Sequence, residues 1–184
     1  MLVVTKFGGS SLSCATQFAK VKKIVEADAK RKIVVVSALG KRDTSDTKIT
    51  DLLYILHAHI KYGVPYEDIW EMFSTRFLEI KEALKLSYPI EKDLDALKAE
   101  LNKTISEDYL VSRGEYLTAK LMSDYLGYHF VDAKDLICFN YDGKVDYTLT
   151  ERKVKEAFSA YGIIVVPGFY GAYPNGSVKL LSRG

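Results

Sequence analysis

The first residues, Leu2-Val3-Val4-Thr5-Lys6, are apolar and β-branched, as in a buried strand, and run into the turn Gly8-Gly9-Ser10-Ser11. Phe18, Val21, Val25 and Ala29 then recur at helical spacing, which predicts a helix over about 15–29. Lys32-Ile33-Val34-Val35-Val36-Ser37 is continuously apolar rather than alternating, the pattern of a parallel strand covered on both faces. Strand, helix and strand in this order make a βαβ unit. A polar loop over 40–48 follows, then a helix marked by Leu52, Leu53, Leu56 and Ile60. Two further periodic segments carry Ile69, Phe73, Phe77, Ile80 and Leu84, then Ile90, Leu94, Leu97, Leu101 and Ile105. Pro65 and Pro89 stand near their starts, where proline is tolerated. These two segments read as a helical hairpin inserted over about 65–107.

The α/β alternation then resumes. A helix near 114–126 buries Leu117, Leu121, Met122 and Tyr125, and Tyr128–Asp132 reads as a strand. A helix near 150–160 and a strand over 162–168 come next, with a last strand at Val178, Leu180 and Leu181. The fold class expected is therefore α/β: a mainly parallel sheet with helices on both faces, a helical insertion, and a carboxyl end cut off within the domain.

Composition narrows the function. The 184 residues suit one domain, and 48% hydrophobic with 27% charged residues is ordinary for a globular protein. A net charge of +2 from 26 basic and 24 acidic residues lacks the basic excess of a nucleic-acid binder. No apolar run approaches the roughly 18 residues of a membrane span, and the start lacks the features of a signal peptide. Cys14 and Cys138 form no metal or redox motif, which fits reduced thiols in a cytoplasmic protein.

Several segments are candidates for chemistry. In Lys6-Phe7-Gly8-Gly9-Ser10-Ser11, glycines after a first strand allow close backbone approach, the following helix offers free N–H groups, and Lys6 adds positive charge. That is a phosphate site; a tight turn capped by serine is the alternative. Ser37 ends the second strand at the same sheet edge, reaching either a ligand or only its own backbone. Thr50 stands at a helix start as ligand contact or N-cap. Ser112-Arg113-Gly114-Glu115 enters a helix with a charged pair around a glycine, where a surface salt bridge is the plainer reading. Phe169, in Pro167-Gly168-Phe169-Tyr170-Gly171, either lines a ligand or packs a turn, and Arg183 in the terminal Ser182-Arg183-Gly184 is a lone cation. His57 and His59, at i and i+2, point to different faces of a helix, and His129 lies in a strand. None is read as a metal ligand or base.

Taken in order, KFGGSS, VVSA, KITDLL, the helical insertion, SRGE, PGFYG and SRG resemble the aspartate kinases of the amino-acid kinase superfamily, over the whole chain. KFGGSS together with SRGE favours these over the acetylglutamate, glutamate and uridylate kinases. The resemblance implies transfer of the ATP γ-phosphate, with Mg²⁺, to the β-carboxylate of L-aspartate, the first step toward lysine, threonine and methionine. It implies that Lys6 contacts the transferring phosphate, with Gly8, Gly9 and Ser10 at the phosphate and aspartate end of the site. Ser37 and Thr50 then belong to the aspartate site, with Glu115 on the ammonium, Arg183 on the α-carboxylate and Phe169 in the pocket wall. A homo-oligomer is implied for the whole enzyme, with no nucleic-acid or membrane partner. In the family, SRG continues into the nucleotide-binding part and then paired ACT domains, which these residues lack. The expectation is that this chain alone has little or no kinase activity. The alternatives are a sibling kinase acting on another carboxylate, such as acetylglutamate, or a folded but non-catalytic fragment.

Overall fold

In the computed structural model, which describes residues 2–182, Val3–Phe7 form strand β1 and Arg31–Val36 form β2, joined through helix α1 over Ala15–Glu26. Helices α2 (Ile49–Tyr62), α3 (Glu67–Leu84), α4 (Ile90–Glu100) and α5 (Glu107–Leu126) follow. Then come β3 (His129–Phe130), the short α6 (Ala133–Leu136), α7 (Tyr147–Tyr161) and β4 (Ile164–Pro167). Strands β5 (Tyr170–Ala172) and β6 (Val178–Leu180) pair antiparallel. Among the described residues the main sheet is wholly parallel, in the order β1-β2-β4-β3.

The continuous apolar runs of β2 and β4 have a direct structural reason. Successive strand side chains point to opposite faces. Val34, Val36 and Val165 join the core built by α1 to α5, whose centre holds the fully buried Phe18, Phe73 and Phe77. Ile33, Ile164 and Val166 join the opposite core, closed by Leu136 and by the half-buried Val154 and Phe158 of α7. Both faces are therefore dry, and each large side chain so buried contributes about 1.5–3 kcal/mol.

Several boundaries differ from the sequence pattern. β1 is an edge strand rather than a buried one: it pairs with β2, and Val4 is 59% exposed. Helix α1 stops at Glu26, because the Asp28 carboxylate accepts the N–H of Lys30 in a turn, and Ala29 is exposed. Helix α4 stops at Glu100, because Leu101 turns extended; Ile105 leaves the helix but still packs on the core. Helix α5 begins seven positions before the expected start, where the Ser106 hydroxyl caps the N–H of Tyr109 and Glu107 and Asp108 face the positive end of the dipole. Asp146 caps α7 in the same way, and β3 and β4 are shorter than their apolar runs.

Candidate functional site

The register of the sheet determines which loops meet. Phe7, Val36 and Pro167 stand side by side across β1, β2 and β4. The residues that follow them, Gly8, Ser37 and Gly168, leave the sheet together at its carboxyl edge, where open α/β sheets hold their ligands. Ser37 N–H donates to Phe7 O at 3.1 Å and Gly168 N–H to Val36 O at 2.8 Å.

Beyond the edge the first two loops touch backbone to backbone. Gly40 N–H donates to Gly9 O at 2.8 Å. A Cβ on Gly40 would lie 2.4 Å from the Gly9 carbonyl carbon, and one on Gly9 would lie 2.9 Å from Ala38 O. Side chains at these positions would force the loops apart. A similar demand explains a glycine inside α5, where Gly is otherwise unfavourable by about 1 kcal/mol. A Cβ on Gly114 would meet Ala38 Cβ at 2.9 Å and Ile49 Cγ2 at 3.0 Å. The close approach sets α5 against α2 and aims Glu115, 4% exposed, at the sheet edge.

The result is a cavity of about 730 Å³ lined by Lys6, Gly9, Ser10, Ser37, Thr50, Glu115 and Phe169. Five separate segments of the sequence supply them. Gly8 borders this space without lining it, and a Cβ there would meet nothing within 4 Å. Arg183 lies outside the described residues, although its neighbour Ser182 reaches the cavity wall. Thr50 is in the first turn of α2 and not at its N-cap, which is Lys48. Phe169 holds φ at 73°, a left-handed conformation that costs a bulky residue of order 1–3 kcal/mol. Its carbonyl accepts the N–H of Leu181 at 2.7 Å, which ties the end of the described chain across the site.

Arg113 and Glu115 do not form a surface pair, since both are buried and α5 turns them to different surroundings. The Arg113 guanidinium lies 4.6 Å and 4.4 Å from the ring centres of Tyr109 and Tyr116. Lys41 and Lys48 also line the cavity, as does Gly40. The motif reading missed these residues; a glycine and two lysines in the loop after the second strand were the available signal. With Lys6, the two lysines bring positive charge to the same lining as the Glu115 carboxylate, a lining suited to anions that also offers an anionic contact.

A second missed feature supports the loops from behind. Arg76 of α3, 3% exposed, pairs with Asp46 at 2.8 Å. Asp46 also accepts from Arg42 Nε at 3.0 Å. Burial disfavours the Asp46 charge, but hydrogen bonds from Arg42 and the nearby Arg76 outweigh it and hold the carboxyl at about 2, below its ordinary 3.8. A depressed carboxyl contributes stability that is complete above its unfolded value and lost as pH falls through the folded one. Asp46 is therefore expected to contribute about 1 kcal/mol at neutral pH, discounted because Arg42 is partly in solvent, and to lose it between about pH 4 and 2. Urea midpoints measured across that range should fall less steeply in Asp46→Asn than in the parent chain.

The histidines serve the helical layer and the sheet. His57 pairs with Glu107 at 3.0 Å, His59 meets Pro65 O at 2.7 Å, and His129 stacks on Tyr161 at 3.6 Å. Among the described residues, no helix is long and apolar enough to cross a membrane.

Comparison with known proteins gives one consistent result. The model of the Amino acid kinase family matches residues 1–184. Aspartokinase 3 of Bacillus subtilis is 36% identical over 202 residues, covering 98% of this chain and 43% of that protein. The crystal structure of Clostridium acetobutylicum aspartate kinase superposes with a TM-score of 0.95 at 44% identity, covering 99% of this chain and 42% of that one. E. coli aspartokinase III, solved with aspartate and ADP in its R-state, shares the fold with a TM-score of 0.81 at 24% identity. The chain thus spans less than half the length of these relatives.

Proposed function

The chain belongs to the amino acid kinase family, and we propose that it is the aspartate-binding part of an aspartate kinase, which transfers the γ-phosphate of ATP to the β-carboxylate of L-aspartate. The observation that carries this reading is the convergence of Lys6, Gly9, Ser10, Ser37, Thr50, Glu115 and Phe169 on one cavity at the carboxyl edge of the sheet. The relatives named aspartokinase, and the aspartate held by the E. coli structure, support the choice of acceptor.

The chemistry asks for little covalent help. A β-carboxylate is ionised at neutral pH, so no base need activate it. Two anions must be brought together, and phosphoryl transfer depends mainly on positioning and charge neutralisation. Lys6, at the end of β1, faces the transferring phosphate in this reading, with Gly9 and Ser10 beside it and Gly8 leaving open space. Lys41 and Lys48 add positive potential. The lining presents one carboxylate, and among the described residues no acidic or histidine cluster suits a metal ion. These residues fit a phosphate chain that brings its own cation rather than a protein-held ion. Mg²⁺, when bound, would neutralise charge on the phosphates. At the other end Glu115 takes the substrate ammonium, Ser37 and Thr50 hydrogen-bond the acceptor, Phe169 closes the wall, and Arg183 pairs with the α-carboxylate. We infer that the whole enzyme is a homo-oligomer working in the cytoplasm.

Glu115→Gln keeps the shape of the wall and removes its charge. A hydrogen bond to a charged group is worth about 1.5–3 kcal/mol, so KM for aspartate should rise roughly 10–100-fold while KM for ATP stays near that of the parent. An unchanged KM for aspartate would remove Glu115 from the ammonium site. The function itself is tested by trapping acyl phosphate with hydroxylamine, in the presence of aspartate, ATP and Mg²⁺. The full-length protein should form hydroxamate and residues 1–184 alone little or none; hydroxamate from neither would refute the assignment.

A further inference from the structure

The cavity is bounded by the loops after β1 and β2, and one buried side chain outside it holds both. Arg76 sits on α3 and lines a separate cleft with Asp46, Glu79 and Arg42. Its Nη2 donates to Gly40 O at 2.7 Å and to Ser13 O at 3.2 Å. Its Nη1 donates to Thr47 O at 3.2 Å and pairs with Asp46 at 2.8 Å. Ser13 directly follows the 3₁₀ turn Gly9–Leu12, and its hydroxyl donates to Ser10 O at 3.4 Å. Gly40 is the residue whose N–H reaches Gly9 O. Thr47 immediately precedes Lys48, the cap of the helix that presents Thr50.

One guanidinium therefore bonds the first loop near its end and the second loop near both its start and its end. A buried cation is costly, and a buried ion pair replaced as a whole by well-packed hydrophobic residues is often as stable or more so, so stability alone does not account for Arg76. What the planar fork supplies is geometry: several donors in fixed directions, which a lysine ammonium cannot reproduce. Asp46 neutralises the charge, and Arg42, bonded to Asp46 and to Glu79, ties the pair back to α3.

We propose that Arg76 is a positioning residue for phosphoryl transfer: it clasps the loops after β1 and β2 at the spacing that the phosphate side of the cavity requires. The inference rests on the reading of that cavity as a kinase site. Arg76 touches no reacting atom, so its loss should displace the Gly9–Ser10 side while leaving Glu115, which is held by α5. A displacement of about 1 Å in a positioned group can cost on the order of 10²-fold in rate.

The test uses the full-length protein and the hydroxamate assay, with kcat expressed per folded molecule. Arg76→Met should lower kcat roughly 10–100-fold and leave KM for aspartate within about threefold. Arg76→Lys, which keeps the charge and answers the objection that the methionine variant fails to fold, should lower kcat roughly 3–10-fold. Asp46→Asn, which leaves the carbonyl contacts in place, should have a smaller effect than either. A kcat per folded molecule within about twofold of the parent in Arg76→Lys would overturn the proposal, whatever happens to Tm. Amide hydrogen exchange gives a readout independent of activity. Exchange at Gly40 N–H should speed up at least about tenfold in Arg76→Lys while the amides of β2 and β4 keep their protection; equal protection at Gly40 would overturn the clasp. If the parent itself forms no aspartyl hydroxamate, the kinase reading fails, and the exchange data still decide whether Arg76 holds the loops.

Discussion

Lys6→Ala is expected to lower the turnover of the full-length protein by about 10²–10³, the usual cost of one lost charge contact in the transition state. The side chain stands at the end of an edge strand, is exposed in the described chain, and lines the cavity. An exposed side chain leaves little packing to lose, so the urea midpoint should stay within experimental error of the parent. This separation makes the variant informative. Loss of turnover with a native midpoint and a KM for aspartate that barely moves assigns Lys6 to the transferring phosphate. A turnover within a few-fold of the parent would leave the cluster of lysines as general electrostatic attraction only.

Gly40→Ala should do the opposite, damaging structure and activity together. The added Cβ would lie 2.4 Å from the Gly9 carbonyl carbon and 2.7 Å from the Ser10 nitrogen. Those are backbone atoms, so no rotamer change relieves the clash. Separation of the loops would break the Gly40 N–H bond to Gly9 O and strain the Arg76 bond to Gly40 O. Overpacking of this kind costs about 1–3 kcal/mol, and a lost buried hydrogen bond about 1 kcal/mol more. A loss of about 2–4 kcal/mol by urea unfolding is expected, with turnover reduced at least about 100-fold through the displaced phosphate side. Gly8→Ala provides the contrast in stability, because its Cβ meets nothing within 4 Å. Equal midpoints for the two variants would mean that the loops do not need their close contact.

Periodicity made the layers of the fold legible. The continuous apolar runs at Ile33–Val36 and Ile164–Val166 follow from a sheet covered on both sides, and the α3 and α4 stripes follow from helices packed along one face. Where the pattern misled, local chemistry decided. Ser106 starts α5 well before the first residue that periodicity singled out, which moved Ser112–Glu115 from a helix entry into the helix body. Val4 resembles a core residue in sequence, yet it lies on an edge strand whose exposure depends on neighbours that no local pattern reveals.

Most of the candidate cavity was legible because each residue sits beside a recognisable stop: a glycine turn, a strand end or a helix start. Lys6, Ser37, Thr50 and Phe169 are of that kind. Arg76 was not, because an arginine in an amphipathic helix reads as solvated until the loops from distant parts of the chain are placed against it. Gly40 and Gly114 were likewise opaque, since the approach that demands a missing Cβ comes from another segment in each case.

The most direct test of the central claim offers the full-length protein L-aspartate, L-glutamate and N-acetyl-L-glutamate in turn, with ATP, Mg²⁺ and hydroxylamine, and measures hydroxamate. Aspartate should be the acceptor that supports turnover, with the yield abolished or nearly so by Lys6→Ala. Hydroxamate formed from N-acetyl-L-glutamate in preference to aspartate, or aspartate turnover indifferent to Lys6, would contradict the assignment.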